Sequence, residues 1–105
     1  MGSKLTIAII IPTLNRPRYL KETLASLSLQ SYLPDEVIVV DNGPTQDSNE
    51  ILNNFKGVLN IRCIREKERS IPKARNCGIK HTSSDILVFT DDDCILDIHW
   101  LENAI

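Results

Sequence analysis

Residues 5–12 read LTIAIIIP, a β-branched apolar run with no alternation between apolar and polar positions. A strand with one wet face alternates, so a run this continuous has to be covered on both faces. That requirement makes it the central strand of a layered domain with helices above and below. The pattern returns at Val37 to Val40, where Asp41-Asn42-Gly43 breaks it, and a further strand at Ile86 to Phe89 closes the set. The segment LNIRCI, residues 59–64, alternates only in part and reads as an outer strand.

Helical patterns fill the intervals. Asn15 suits an N-cap and Pro17 a first helical turn; Leu20, Leu24 and Leu27 then make one apolar stripe running to about Gln30. Asp47 and Glu50 form a capping-box-like start, with Ile51, Leu52 and Phe55 as the apolar face and Gly57 as the stop. Ser70 and Pro72 open a third helix, whose small Ala74 and Gly78 let it lie close on the sheet. A last helix begins around residues 98–101. Strand–helix alternation predicts an α/β fold: a Rossmann-like three-layer sandwich with a mainly parallel sheet of about four strands.

The totals narrow the function classes. With 105 residues the chain makes one domain, 42% apolar and 25% charged, which fits a globular protein. A formal net charge of −2 argues against a general nucleic-acid binder. No apolar run approaches the roughly 18–20 residues that cross a bilayer. The start lacks a secretory pattern, and MGSKLT, despite matching a loose lipidation pattern, reads as a polar lead-in. Cys63, Cys77 and Cys94 are odd in number and widely spaced, so free thiols in a reducing compartment are expected, with Cys77 and Cys94 read as small buried hydrophobes. The expected location is the cytoplasm, or the cytoplasmic face of a membrane.

In a parallel sheet the ligand crevice lies at the carboxyl ends of the strands, near the point where strand order reverses. The polar clusters at residues 12–15, 41–43 and 90–93 all fall at such ends. Neither a Gly-x-Gly-x-x-Gly nor a Gly-Lys-Ser/Thr loop is present, so bound phosphates need a metal or side-chain cations. Six of the twelve Lys and Arg residues lie in 62–75, namely Arg62, Arg65, Lys67, Arg69, Lys73 and Arg75. From Asp85 onward there are six acids and no Lys or Arg. Carboxylates that bridge a hard divalent ion to a phosphate, with arginine neutralising the remainder, would account for both. The plain alternatives are a solvated mixed-charge loop for 62–75 and an N-cap or Asx-turn for Asp91, Asp92 and Asp93. A cap uses one carboxylate, and this chain places three in a row.

Four motifs in order carry a resemblance: IAIIIPTLNR at 7–16, EVIVVDNGPTQDS at 36–48, PKARNCGI at 72–79 and DILVFTDDDC at 85–94. Together they resemble the N-terminal, nucleotide-sugar-binding half of family 2 glycosyltransferases with the GT-A fold. The resemblance implies that residues 1–105 form the donor-binding part of a truncated GT-A domain. It implies an inverting transfer from a nucleoside-diphosphate sugar, UDP-linked by preference, to an acceptor hydroxyl that the sequence does not name. Pro12, Thr13 and Asn15 would line the nucleotide pocket, Asp41 would bond the base, and Arg75 would face the ribose and diphosphate. Asp93 would coordinate Mn2+ or Mg2+, and Asp91 would hold the ribose, the sugar or the metal's water. Asp92, the variable middle position of the Asp-x-Asp motif, is expected to point away or to cap.

Two departures from the pattern stand out. Ser70 occupies a place where the family often has Gly, and the resemblance implies that the half carrying the catalytic base and acceptor site is not among these 105 residues. No residue here is assigned as that base: His81 reads as a helix-end residue, and His99 and Glu102 fall on a packing helix. An uncovered strand edge and apolar flank imply self-association. A non-catalytic nucleotide-binding or assembly module is an alternative reading. A nucleotidyltransferase is another, though it would normally show a Gly-rich loop near its N-terminus.

Overall fold

A computed structural model of the chain describes residues 5–43 and 48–105. Eight elements alternate among them: β1 (Ile7–Thr13), α1 (Pro17–Ser28), β2 (Glu36–Asp41), α2 (Ser48–Asn53), β3 (Ile61–Arg65), α3 (Ile71–Lys80), β4 (Ile86–Phe89) and α4 (Trp100–Ala104). Every strand pairing is parallel, and the order across the sheet is β3-β2-β1-β4. The unalternating run is β1, inside the sheet and buried along its whole length. Its odd residues Ile7, Ile9 and Ile11 pack with Leu20, Leu24 and Leu27 of α1, Leu52 of α2 and Leu101 of α4. Ile10 faces the other way and joins Ile38, Val40 and Ala74 of α3. The result is the expected three-layer α/β sandwich, with four strands and β3 at one edge.

The strand order places the reversal beside β1. The chain moves outward from β1 through β2 to β3, then returns to lay β4 on the opposite flank of β1. Paired β4 ends early, at Phe89 opposite Ile10, whereas β1 continues to Thr13 against Asp41. Ile10 O accepts the Thr90 N–H at 3.2 Å. Pro12, two residues on, faces the same flank, so its missing N–H falls where the ladder has already stopped. A gap therefore opens between the end of β1 and the chain leaving β4. At the opposite end, Asp85 ties β4 to the start of β1 by accepting the Thr6 N–H at 2.8 Å and the Thr6 hydroxyl at 3.1 Å. Those bonds, the backbone one foremost, hold the Asp85 carboxyl below its usual range.

Several local expectations shift. Arg16, not Asn15, holds the N-cap position of α1, and it makes no side-chain capping bond. Asn15 instead turns the chain with a φ of +50°, a left-handed conformation that Asn tolerates better than most residues. Helix α1 ends at Ser28; the buried Gln30 side chain then donates to Asp97 O at 2.6 Å and ties that end to the segment before α4. Helix α2 stops at Asn53, so Phe55 packs from the following turn and Gly57 is not the terminator. Asp47 lies outside the described residues. Ser70 caps α3, accepting the Lys73 N–H at 3.3 Å, as its position before Pro72 implies.

Gly78 lets α3 lie against the sheet. A Cβ there would sit 2.6 Å from Cγ2 of the fully buried Ile10. Gly78→Ala should gain about 1 kcal/mol of helix propensity and lose about 1–3 kcal/mol to overpacking. Urea unfolding is expected to show a net loss on the order of 1 kcal/mol, and a variant as stable as the parent would contradict this packing.

Candidate functional site

The gap beyond Phe89 is a cavity of about 360 Å³, lined by Pro12, Thr13 and Leu14, by Arg16 and Asn42, by Ile71 at the start of α3, and by Asp91, Asp92 and Asp93. It lies at the carboxyl ends of the strands, at the reversal of strand order, where α/β sheets bind ligands.

The three aspartates divide their work. Asp92 is 4% exposed and accepts the Thr13 hydroxyl at 2.8 Å. Its backbone carbonyl accepts the Thr23 hydroxyl of α1 at 2.9 Å. Arg16 Nη1 lies 3.4 Å from Asp92 Oδ1, and Nη2 lies 3.0 Å from Asp93 Oδ2. The middle carboxylate thus fastens the turn to the end of β1 and to α1. Asp91 and Asp93 are left exposed on either side of it. Carboxylate oxygens of Asp91 and Asp93 and the thiol of Cys94 lie within 4.8 Å of one another. Two exposed carboxylates this close suit a hard divalent ion, which prefers oxygen donors; the half-buried Cys94 adds a softer third atom.

The other expected site residues are distributed around this centre. Pro12 and Thr13 line the cavity, although the Thr13 hydroxyl is committed to Asp92. Asn15 does not line it and packs on Gly43, where a Cβ would stand 2.5 Å from Asn15 Oδ1. Asp41, 5% exposed, lies in a separate recess of about 210 Å³ with Asn49, Cys63 and Arg65. Its carboxylate accepts the Gly43 N–H at 2.8 Å, which closes the turn after β2. Arg75 projects from α3 over the Phe89 ring, 5.9 Å from its centroid, and does not line the aspartate cavity.

The basic stretch is less uniform than its composition implies. Arg62 donates to the His81 carbonyl beyond α3, and Lys73 pairs with Glu68. The cation inside the cavity is Arg16, from outside that stretch. Asn42, expected only as part of the 41–43 cluster, lines the cavity and has a task of its own. Its amide donates to the carbonyls of Glu66 and Glu68 and accepts the Ser70 N–H at 3.0 Å, fixing the loop that leads into α3.

Thiol chemistry finds no support at two of the cysteines. Burial foremost, then the Asp41 carboxylate, pushes the Cys63 thiol up to about 11, and burial followed by Glu66 raises Cys77. Both remain protonated thiols at neutral pH, hence weak nucleophiles. Cys63, Cys77 and Cys94 are all free. The histidines have structural partners: His81 Nδ1 lies 2.8 Å from the Cys77 carbonyl, and His99 Nδ1 lies 3.0 Å from Ser31 Oγ. Ser31 also donates to Glu102 at 3.0 Å.

The Thr13–Asp92 bond makes a direct prediction. Thr13→Val removes a donor from a buried carboxylate and should destabilise the fold by about 1–3 kcal/mol in chemical denaturation. Unchanged stability would contradict the fastening role of Asp92.

Comparisons with known proteins converge on one family. The family model described as "Glycosyl transferase family 2" matches residues 8–105. A hyaluronan synthase of Pasteurella multocida is 33% identical over 102 residues, 94% of this chain and 10% of that protein. S. aureus TarS 1–349 in complex with UDP-GlcNAc superposes with a TM-score of 0.83 at 28% identity, covering 95% of this chain and 30% of that one. The mannosyltransferase PcManGT of Pyrobaculum calidifontis, in complex with GDP-Man and Mn2+, gives 0.74 at 26% identity, covering 87% and 28%. The chain therefore spans about a tenth of the first relative and under a third of each of these structures. With nearly its whole length matched by the model, this chain belongs to glycosyl transferase family 2.

Proposed function

We propose that this chain binds the donor of an inverting sugar transfer from a nucleoside diphosphate, UDP by preference, to an acceptor hydroxyl. The observation that carries the reading is the exposed Asp91–Asp93 pair, held open by buried Asp92 at the mouth of a strand-end cavity. UDP-GlcNAc and GDP-Man in two structural neighbours, the latter with Mn2+, support the ligand class.

The roles follow from position. Pro12 and Thr13 form the floor of the cavity, and Asn15 supports the turn against Gly43. Asp41, in the adjoining recess with Arg65, is the candidate partner for the base. Arg75, over the Phe89 ring and outside the cavity lining, is the candidate for the diphosphate side. Asp93, with Asp91 beside it, would hold Mn2+ or Mg2+. Such an ion supplies Lewis-acid compensation for charge developing on the departing diphosphate. The acceptor's proton needs a base within hydrogen-bond reach. None of the 105 residues is assigned that role, so the chain by itself is proposed to bind the donor without completing the transfer.

Calorimetric titration with UDP, GDP and dTDP, each with and without Mn2+, tests the reading. UDP should bind tightest and only with the metal, and Asp93→Ala should lower that affinity at least tenfold. Metal-independent binding, or binding indifferent to Asp93→Ala, would favour a non-catalytic nucleotide-binding or assembly module and overturn the proposal.

A further inference from the structure

Arg16 is the one side chain among the cavity residues that carries a positive charge, and its surroundings are asymmetric. Toward Asp92 it meets a carboxylate that is 6% exposed and already fixed by Thr13. Toward Asp93 it meets a carboxylate that is 42% exposed, across a contact of 3.0 Å. The guanidinium carbon also lies 4.9 Å from the centroid of the Tyr19 ring, which supports its plane from α1. A buried, hydrogen-bonded carboxylate keeps its partner, whereas an exposed ion pair is weak and readily exchanged. One arm of Arg16 thus lies 3.4 Å from a fixed, buried carboxylate, and the other makes a 3.0 Å hydrogen bond that is open to solvent and replaceable.

Charge balance gives the exchange a direction. Three adjacent aspartates and a single guanidinium line the cavity, and Arg16 contacts two of the three, so the formal balance at its mouth is two negative charges. One divalent ion cancels them. The oxygen that Arg16 Nη2 contacts belongs to Asp93, so the arginine and an ion bound by Asp91 and Asp93 compete for the same carboxylate.

We propose that Arg16 is a placeholder cation: it neutralises Asp93 until a divalent ion arrives, then withdraws onto Asp92 and Tyr19. This rests on the assignment of Asp91 and Asp93 as the metal ligands. Arg16 is here a positioning residue, keeping the aspartate turn in its binding geometry while the ion is away. The arrangement also opposes binding of the ion in the absence of nucleotide. A guanidinium parked on Asp93 must give way first, and its charge repels a dication at contact distance.

The test measures metal binding without nucleotide, by electron paramagnetic resonance of free Mn2+ during titration of the 105-residue chain. Arg16→Gln removes the competing charge and should bind Mn2+ about three- to tenfold more tightly than the parent, the range expected for one nearby charge in a solvated site. Arg16→Lys keeps the charge and should stay within about twofold of the parent. Equal or weaker Mn2+ affinity in Arg16→Gln overturns the proposal while leaving the metal assignment standing. No Mn2+ binding by any of the three proteins overturns both.

A second readout needs no variant. In the parent, Mg2+ titration followed by arginine side-chain 15N NMR should move the Arg16 Nε signal with site occupancy. The Arg62 signal, anchored on the His81 carbonyl, should stay still. A stationary Arg16 signal at Mg2+ saturation contradicts the exchange.

Discussion

The hydrogen bond from Thr13 to Asp92 joins the two parts of this molecule that matter most. Thr13 is the last residue of a strand that is buried on both faces, so its position is set by the whole sheet. Asp92 is the middle of a turn that no regular element holds. A buried carboxylate without a donor is costly, so the turn closes onto the strand end to satisfy it. Thr23 secures the same residue through its carbonyl, from the first helix. With Asp92 fixed at two points, its neighbours remain exposed on either side, with carboxylate oxygens within 4.8 Å of each other. The repulsion among three adjacent acids is thereby reduced by sending one of them inward.

The layered fold was legible because burial leaves a clear trace in sequence. The long unalternating run of β1 is central and the partly alternating β3 lies outside, although the short apolar run Ile86–Phe89 forms the other edge; small residues at a helical spacing mark a close approach, as Gly78 on Ile10 shows. The site's general location followed from the fold, since strand ends at a reversal of order collect ligands. What sequence could not supply was the distribution of side chains between recesses. Asp41 and Asn42 are adjacent in the chain, yet they line different cavities, because β2 ends at Asp41 and the chain turns at Asn42. Arg75 similarly belongs to the α3 face, over Phe89, and not to the aspartate cavity.

Arg16 shows how a signal can be present and still be missed. Cations are disfavoured at the amino end of a helix, where the backbone N–H groups already present positive charge. An arginine at the N-cap of α1 therefore calls for an acidic partner, and the only run of three acids in the sequence lies at 91–93. Several of the cations in 62–75 have local tasks, holding the His81 carbonyl or pairing with Glu68. Composition locates charge along the chain, whereas the strand-end geometry decides which charge faces the ligand.

The central claim is that Asp91 and Asp93 hold a divalent ion beside a nucleotide in the cavity at the end of β1. Paramagnetic broadening by Mn2+ in the presence of UDP tests it residue by residue in an amide NMR spectrum. The account predicts that signals of residues 91–94, Thr13 and Arg16 broaden first, while those of Gly57 and Lys80 stay sharp. Broadening centred elsewhere, or none at saturating UDP and Mn2+, would contradict it.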